Sequence, residues 1–343
     1  MIQLVKSHLI RCAPNFSHSG ANPPALTNMA HLIKPKRKIP LTKKLALISL
    51  TLYQVLNGWQ VSKAIGQTPN DHPTEEQSII LKWLGNAGWE IRHGKTIILI
   101  DPFLTRREAA LGAEWKPDEE VVTGVISKAD FIFAGHSHVD HIGDVPFIAK
   151  KFGSKVIGSR TTANIALTAG VDKSQLVTIS GGEKLDFKEF SVQVIESVHG
   201  AVMRRGVRRR PKFEEITSPW AGPLMGSSFV EGGCYLYYFT FGKHRILHQS
   251  TGGFIEENLS GLRPEIALLY PMNRNDVAEM LKMLQPKSVF VHHFDEWRVP
   301  IAEGMPEGNR KRAQRFANDV RALNSNIKIV IPDFFSLFTL SEV

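Results

Sequence analysis

Residues 130–141 read Asp-Phe-Ile-Phe-Ala-Gly-His-Ser-His-Val-Asp-His. The start of this stretch is a short apolar run that ends at Gly135, the pattern of a buried strand followed by a tight turn. The remainder places four metal-ligand side chains, His136, His138, Asp140 and His141, within six positions. Imidazole nitrogen and carboxylate oxygen are the donors that zinc and similar dications select. A polar loop with chance histidines is the bland alternative, and the density of ligands argues against it. In an extended segment His136 and His138, two apart, point to one side. The spacing from Ile142 to Phe152 predicts a helix, which sets Asp140 and His141 near its first turn. One loop can therefore face two metal positions, with His136 and His138 at one and Asp140 and His141 at the other.

Around this stretch the chain has the composition of a globular protein, 43% apolar and 22% charged over 343 residues, enough for a large core. The formal charge of +9 is unevenly spread: residues 1–64 carry nine Lys or Arg and no Asp or Glu, which leaves 33 basic and 33 acidic residues in the rest. The body is neutral, so the high pI is no argument for nucleic acid, and no nucleic-acid partner is expected. Within the leader a basic stretch from Lys34 to Lys44 precedes an apolar run from Leu45 to Leu56, and Ser62 and Ala64 follow in a small-x-small pattern. That order is the order of a secretory signal, with Met29 as its natural start. A membrane anchor and a disordered extension bearing one amphipathic helix are the other readings of residues 1–64. Export or anchoring is the localisation they favour, and membrane contact is expected through the leader alone. Cys12 lies in the leader and Cys234 stands by itself in the body, so cysteines do not speak for export.

Residues 65–78 are polar and read as a linker. From Ile79 to the C-terminus short strands and helices alternate. Strands are expected at 79–84, 89–93, 96–100, 155–157, 176–179, 190–198, 234–241, 245–248, 266–269 and 288–291. Helices are expected at 144–152, 161–169, 276–284 and 307–323. Two αβ halves in one chain imply two sheets packed face to face with helices outside.

Strand, then HxHxDH, then helix resembles the metallo-β-lactamase superfamily of metal-dependent hydrolases over roughly Ile79 to the C-terminus. Trp83-Leu-Gly-Asn-Ala-Gly and Ile98-Leu-Ile-Asp-Pro-Phe-Leu add a likeness to its ascorbate-phosphate-lactonase-like and N-acyl-phosphatidylethanolamine-phospholipase-like lineage. The resemblance implies an α/β fold, the four-layer αββα sandwich, across 79–343. It also implies that His199, at the end of the 190–198 strand, completes a first metal site with His136 and His138. A late histidine completes the second with Asp140 and His141. Neighbours in a strand face opposite ways, so one of His292 and His293 serves, and the following Phe294-Asp295 favours His293. Asp101 in such proteins lies beneath the metal loop and orients ligands; capping a turn before Pro102 is the alternative. His248 is a candidate for a supporting contact or a proton relay.

One departure stands out. Where relatives carry a bridging aspartate after a strand of the second half, this chain reads His248-Gln-Ser-Thr-Gly-Gly, with Thr251, or Ser250 after a one-residue shift, in its place. A neutral hydroxyl does not replace a bridging carboxylate. The expected cofactor is therefore one firmly bound Zn²⁺ and a labile second ion, with Mn²⁺ and Fe²⁺ suited to the same donors. The expected activity is hydrolysis of an ester, lactone, amide or phosphodiester in a small-molecule or lipid-like substrate. Asp140 is its catalytic carboxylate. Arg208, Arg209 and Arg210, with Trp220, are candidates for holding substrate, against the plain reading of a solvated basic loop. A catalytically lapsed metal binder and a nuclease are the competing readings; the missing aspartate speaks for the first and the neutral body against the second.

Overall fold

The computed structural model describes residues 78–340 apart from 108, 205, 206 and 211, and the backbone only of 202–204 and 207–209. The leader with its signal or anchor reading, and all of the linker but Ser78, lie outside the described residues. The first half runs β1 (Ile79–Gly85), β2 (Gly88–His93), β3 (Thr96–Ile100), α1 (Glu119–Val125), β4 (Phe131–Phe133), α2 (Val139–Ile142), α3 (Val145–Phe152), β5 (Lys155–Gly158), α4 (Arg160–Thr168) and β6 (Leu176–Thr178). The second runs β7 (Lys184–Asp186), β8 (Ser191–Ser197), β9 (Val202–Arg204), β10 (Val207–Arg209), β11 (Cys234–Phe241), β12 (His244–Gln249), β13 (Ile266–Leu269), α5 (Arg274–Leu284), β14 (Ser288–Val291), α6 (Glu307–Leu323), β15 (Lys328–Val330) and β16 (Leu337–Leu340).

The strands form two mixed seven-stranded sheets, β16-β1-β2-β3-β4-β5-β6 and β15-β14-β13-β12-β11-β8-β7, with β9 and β10 as a separate hairpin. Strand periodicity sorts side chains between two cores. In the first sheet Ile98, Ile100, Phe133 and Ile157 face the second sheet, while Leu99, Ile132 and Val156 face the cluster formed by α1, α3 and α4. The second sheet packs its other face on Val277 and Met280 of α5 and Phe316 and Val320 of α6. The result is the four-layer αββα sandwich. Aromatic rings lock the sheets together: Phe133 meets Tyr237 and Phe239 edge-on at 5.2 and 5.1 Å.

Direction matters more than count. β3, β4, β5 and β6 are parallel, as are β12, β13, β14 and β15, and β8 runs with β12 because both are antiparallel to β11. The carboxyl ends of β3, β4, β8, β12 and β14 therefore lead into the segments that carry Asp101, His136, His199, Ser250 and His293. Open α/β sheets bind ligands beyond such ends.

The helix expected from Ile142 is interrupted. His138 is an extended N-cap to the single turn α2, Gly143 ends it, and α3 restarts with Pro146 in its first turn. A cluster of hydrogen bonds explains the break: the Asp144 carboxylate, instead of capping α3, accepts from the backbone N–H of Leu104 and Thr105 at 2.6 and 2.9 Å. Helix α1, strands β7, β15 and β16 and the hairpin carry no expectation from the sequence. The last strand, β16, pairs antiparallel with β1 and so completes the edge of the first sheet.

Candidate metal centre

The loop between β4 and α2 is held from both sheets. Gly135 donates its N–H to Asp101 Oδ1 at 2.7 Å, its carbonyl accepts from Tyr235 N at 2.8 Å, and Tyr237 donates its hydroxyl to Ala134 O at 2.7 Å. A side chain on Gly135 would meet Ser250 Cβ at 2.2 Å, so the loop lies flat against β12's end only because residue 135 has none. Ser137 points away, to Ser159 and Thr162, and its N–H reaches Glu231 O at 2.8 Å. This leaves His136 and His138 on the other side.

Six side chains converge there as two trios. His136, His138 and His199 form one, and Asp140, His141 and His293 the other; within each trio one ligand atom per residue lies within 4.8 Å of the rest. His292 is elsewhere: it accepts from Trp89 Nε1 at 2.9 Å and donates to Gln249 O at 2.8 Å, a satisfied core imidazole.

Supporting contacts set which nitrogen of each ring faces inward. Asp101, fully buried and with φ 45°, accepts at Oδ2 from His141 Nδ1 at 2.9 Å and from Ser250 Oγ at 2.6 Å. Having given its hydrogen to Asp101, Ser250 accepts from His136 Nδ1 at 3.1 Å. His199 donates Nδ1–H to Gly200 O at 2.7 Å. The Nε2 atoms of His136, His141 and His199 are thereby left as lone pairs. Between the rings, His136 Nε2 and His138 Nδ1 are 3.1 Å apart, and His293 Nε2 and His141 Nε2 are 3.2 Å apart. Each pair can share one imidazole N–H or, with both nitrogens as lone pairs, a cation; five imidazoles and a carboxylate so gathered are a donor set that fits a divalent ion at each trio.

The electrostatics favour metal-ready forms of His136, His293 and Asp140 and oppose that of His141. Burial, with the neighbouring imidazoles, lowers His136 well below its ordinary value. Burial and His141 hold His293 down at about 3. Burial works to raise the Asp140 carboxyl, but His141, His293 and His138 outweigh it and bring it to about 2. His141 is shifted the other way: burial opposes the charge, and Asp140 and Asp101 overcome it.

The remaining candidates are placed less centrally. Thr251 Oγ1 accepts from Gly200 N at 3.2 Å, beside His199, and it is Ser250 that touches Asp101, His136 and His141. Neither hydroxyl carries the charge of a bridging aspartate. His248 donates to Ala87 O at 2.8 Å, and no described hydrogen bond joins it to the six. A cavity of about 670 Å³ opens beside His199, lined also by Arg160, Arg210, Glu215, Glu231 and Tyr235. Arg210 is exposed on it; Arg208 and Arg209 lie on β10 with side chains outside the described ones. Trp220, expected near substrate, is not among the lining residues; its N–H bonds Thr168 of α4 and its ring packs on the outer core. Sequence reasoning missed Asn86, Arg106 and Asp295, which buttress the second trio. An asparagine directly after Gly85 is the signal there, because Asn tolerates left-handed backbone.

Two mixed sheets face to face, with six side chains that could hold metal at their common end, define a metallo-β-lactamase-type sandwich. A family model described as the beta-lactamase superfamily domain matches residues 80–293. The chain belongs to that superfamily. A protein of Myxococcus xanthus named a metal-dependent hydrolase is 26% identical over 260 residues, covering 73% of this chain and 80% of its own. Another so named, from Carboxydothermus hydrogenoformans, is 27% identical over 259 residues, 74% and 96% of the two chains. Among solved structures, a novel metallo hydrolase from the archaeon Ignicoccus hospitalis superposes with a TM-score of 0.54 at 17% identity, covering 78% of this chain and 100% of its own. A diiron beta-hydroxylase from Streptomyces venezuelae gives a TM-score of 0.50 at 14% identity, over 78% and 55%. At these identities the structural likeness speaks for the fold.

Proposed function

We propose that the chain is a metal-dependent hydrolase that cleaves an ester, lactone, amide or phosphodiester bond in a small-molecule or lipid-like substrate, with no nucleic-acid partner. The observation that carries this is the pair of trios, in which the outward nitrogens of His136, His141 and His199 are tied down so that their free ones face inward. The names of the relatives from M. xanthus and C. hydrogenoformans agree with it. A dication held by such donors activates water near neutral pH and offsets the negative charge that develops on an attacked carbonyl or phosphoryl oxygen. Zn²⁺ suits this mixture of imidazole and carboxylate best, and Mn²⁺ and Fe²⁺ suit it too.

The chain's own residues supply the rest. Asp140, ionised at neutral pH, is held by Asn86 Nδ2 at 3.2 Å and can take a proton from the attacking water and pass it to the leaving group. His199 forms part of the wall of the cavity, which gives a substrate access from the side of the first trio. Arg210, at that wall, is available to an anionic group. The first trio holds its ion firmly. The second is labile, because Ser250 and Thr251 bring no charge where a bridging carboxylate would.

Elemental analysis of the dialysed full-length chain, beside His138→Ala and His293→Ala, tests the reading together with turnover of a generic phosphodiester and a generic lactone. The expected result is one retained zinc-like ion, lost in His138→Ala and kept in His293→Ala, and metal-stimulated turnover lost in His138→Ala. Retained metal with no turnover across the panel would make the chain a lapsed binder. No metal affinity at all would overturn the reading altogether.

A further inference from the structure

We infer that Asn86 is the positioning residue of the second trio: anchored by the buried Asp295–Arg106 pair, it sets the relative geometry of Asp140 and His293. This rests on reading Asp140, His141 and His293 as an ion site. Asp140 follows the first sheet and His293 the second, and Asn86, fully buried in the turn between β1 and β2, touches both. Its carbonyl accepts from His293 N at 2.7 Å and from Trp83 Nε1 at 3.0 Å. Its Nδ2 donates to the backbone oxygen of Asp140 and to Asp140 Oδ2. Its N–H donates to both carboxylate oxygens of Asp295 at 3.0 Å.

The anchor behind it is rigid. Asp295 takes Arg106 Nη1 at 2.7 Å, with each side chain 1% exposed. Arg106 also donates from Nε to Val299 O and from Nη2 to Glu296 O, both at 2.8 Å, and lies over the Phe334 ring. Gly85 makes room for the pair: a Cβ there would stand 2.7 Å from Arg106 Nη1. Asn86, Arg106 and His293 all have left-handed backbone, φ 52°, 43° and 53°. Residues so strained persist where surrounding contacts over-determine them, and such places cluster at functional sites. The chemistry requires a hydrogen-bond donor here, and asparagine supplies it at a left-handed position. Both partners on Asp140 are acceptors, so the residue must present N–H groups, and Asp would present two more oxygens. None of Asn86's described hydrogen bonds reaches His136, His138 or His199, so its influence is confined to one trio.

Asn86→Gly removes the carboxamide and keeps the left-handed turn available, and Asn86→Ser leaves one hydroxyl donor for Asp140. Zn²⁺ titrated into the metal-free full-length chain against a chromophoric chelator reads both ions, and amide exchange reads the His293 N–H in the absence of metal. In Asn86→Gly the second ion is expected to weaken by about tenfold or more, the scale for lost supporting contacts. The first ion should keep its affinity, the His293 amide, bonded to the retained backbone carbonyl of residue 86, should exchange as in wild type and so report an intact turn, and Asn86→Ser should fall between Gly and wild type. Two ions bound by Asn86→Gly as tightly as by wild type would overturn the inference alone. Loss of both ions together would make Asn86 a folding residue and overturn it as well. A wild-type titration indistinguishable from that of His293→Ala would bring down the second ion site itself, and the inference with it.

Discussion

Asp101 shows how much one side chain carries. It is buried, it bends the chain at a left-handed position, and its two oxygens serve Gly135, Ser250 and His141. The sequence left open whether it orients ligands or caps a turn; its described contacts go to His141, Ser250 and Gly135, and none caps the turn before Pro102. Asp101→Asn keeps the shape but puts a donor where His141 Nδ1–H and Ser250 Oγ–H need an acceptor. Metal affinity is expected to fall about tenfold to a hundredfold, read by chelator competition, with little change in fold by circular dichroism. Arg106 belongs at this scale too. Removing one partner of a buried ion pair strands the other, so Arg106→Met is expected to cost about 3–5 kcal/mol in urea unfolding. A loss within experimental error would mean that water reaches Asp295. Neither Arg106 nor Asp295 was legible as a partner, because a pair 189 positions apart has no local signature.

Among the elements, the segment from β4 to α2 does the positioning, and two glycines separate its demands from ordinary backbone preference. Gly135 has no room for a Cβ beside Ser250, whereas Gly153 after α3 has open space and φ 70°. Gly135→Ala must displace the loop that bears His136 and His138, and loss of bound metal is expected from a protein that still folds. Gly153→Ala should cost about 1–2 kcal/mol of stability, the left-handed penalty, and leave metal binding untouched. Metal content and thermal midpoints of the two variants, measured side by side, would expose any error in this contrast. The strands around the loop were readable from their alternation and β-branched content, and helix α6 was readable to its ends. The break between α2 and α3 was not, because periodicity continues across it and the cause is Asp144 reaching to Leu104 and Thr105.

For the whole molecule, the cost of assembling the site appears as pH dependence. His136, His199, His248, His292 and His293 all have depressed affinity for protons, chiefly through burial. In the unfolded chain they would take up protons below about 6.5. The unfolded state then binds more protons than the native one, so stability of the metal-free protein should fall as pH drops from about 6.5 towards 3, where His293 titrates. His141, Asp144, raised to about 6, and Glu231, raised by burial, act in the opposite sense, since the folded state holds their protons more tightly. Five against three, the histidines should prevail. Urea midpoints of metal-free protein at pH 7.5, 6 and 5 should decline in that order, and the decline should be steeper with Zn²⁺ present, since protons also compete for its ligands. A flat profile would imply that the site histidines are solvated without metal.

The sequence by itself determined the ligand types, their clustering at 136–141, the alternation that builds two sheets, and the absence of a carboxylate at 250–251. Each of these is a local pattern, decided by side-chain chemistry and strand or helix period. His199 and His293, named beforehand only through the family resemblance, meet the loop from the far sheet; tertiary structure alone decided that Ser250 and not Thr251 lies against Asp101 and that Asn86 joins the two halves of the second trio. Those facts depend on which strand ends fall side by side. Sheet order and the close approach of two packed layers set that, through contacts between residues far apart in the chain, which no short-range pattern encodes.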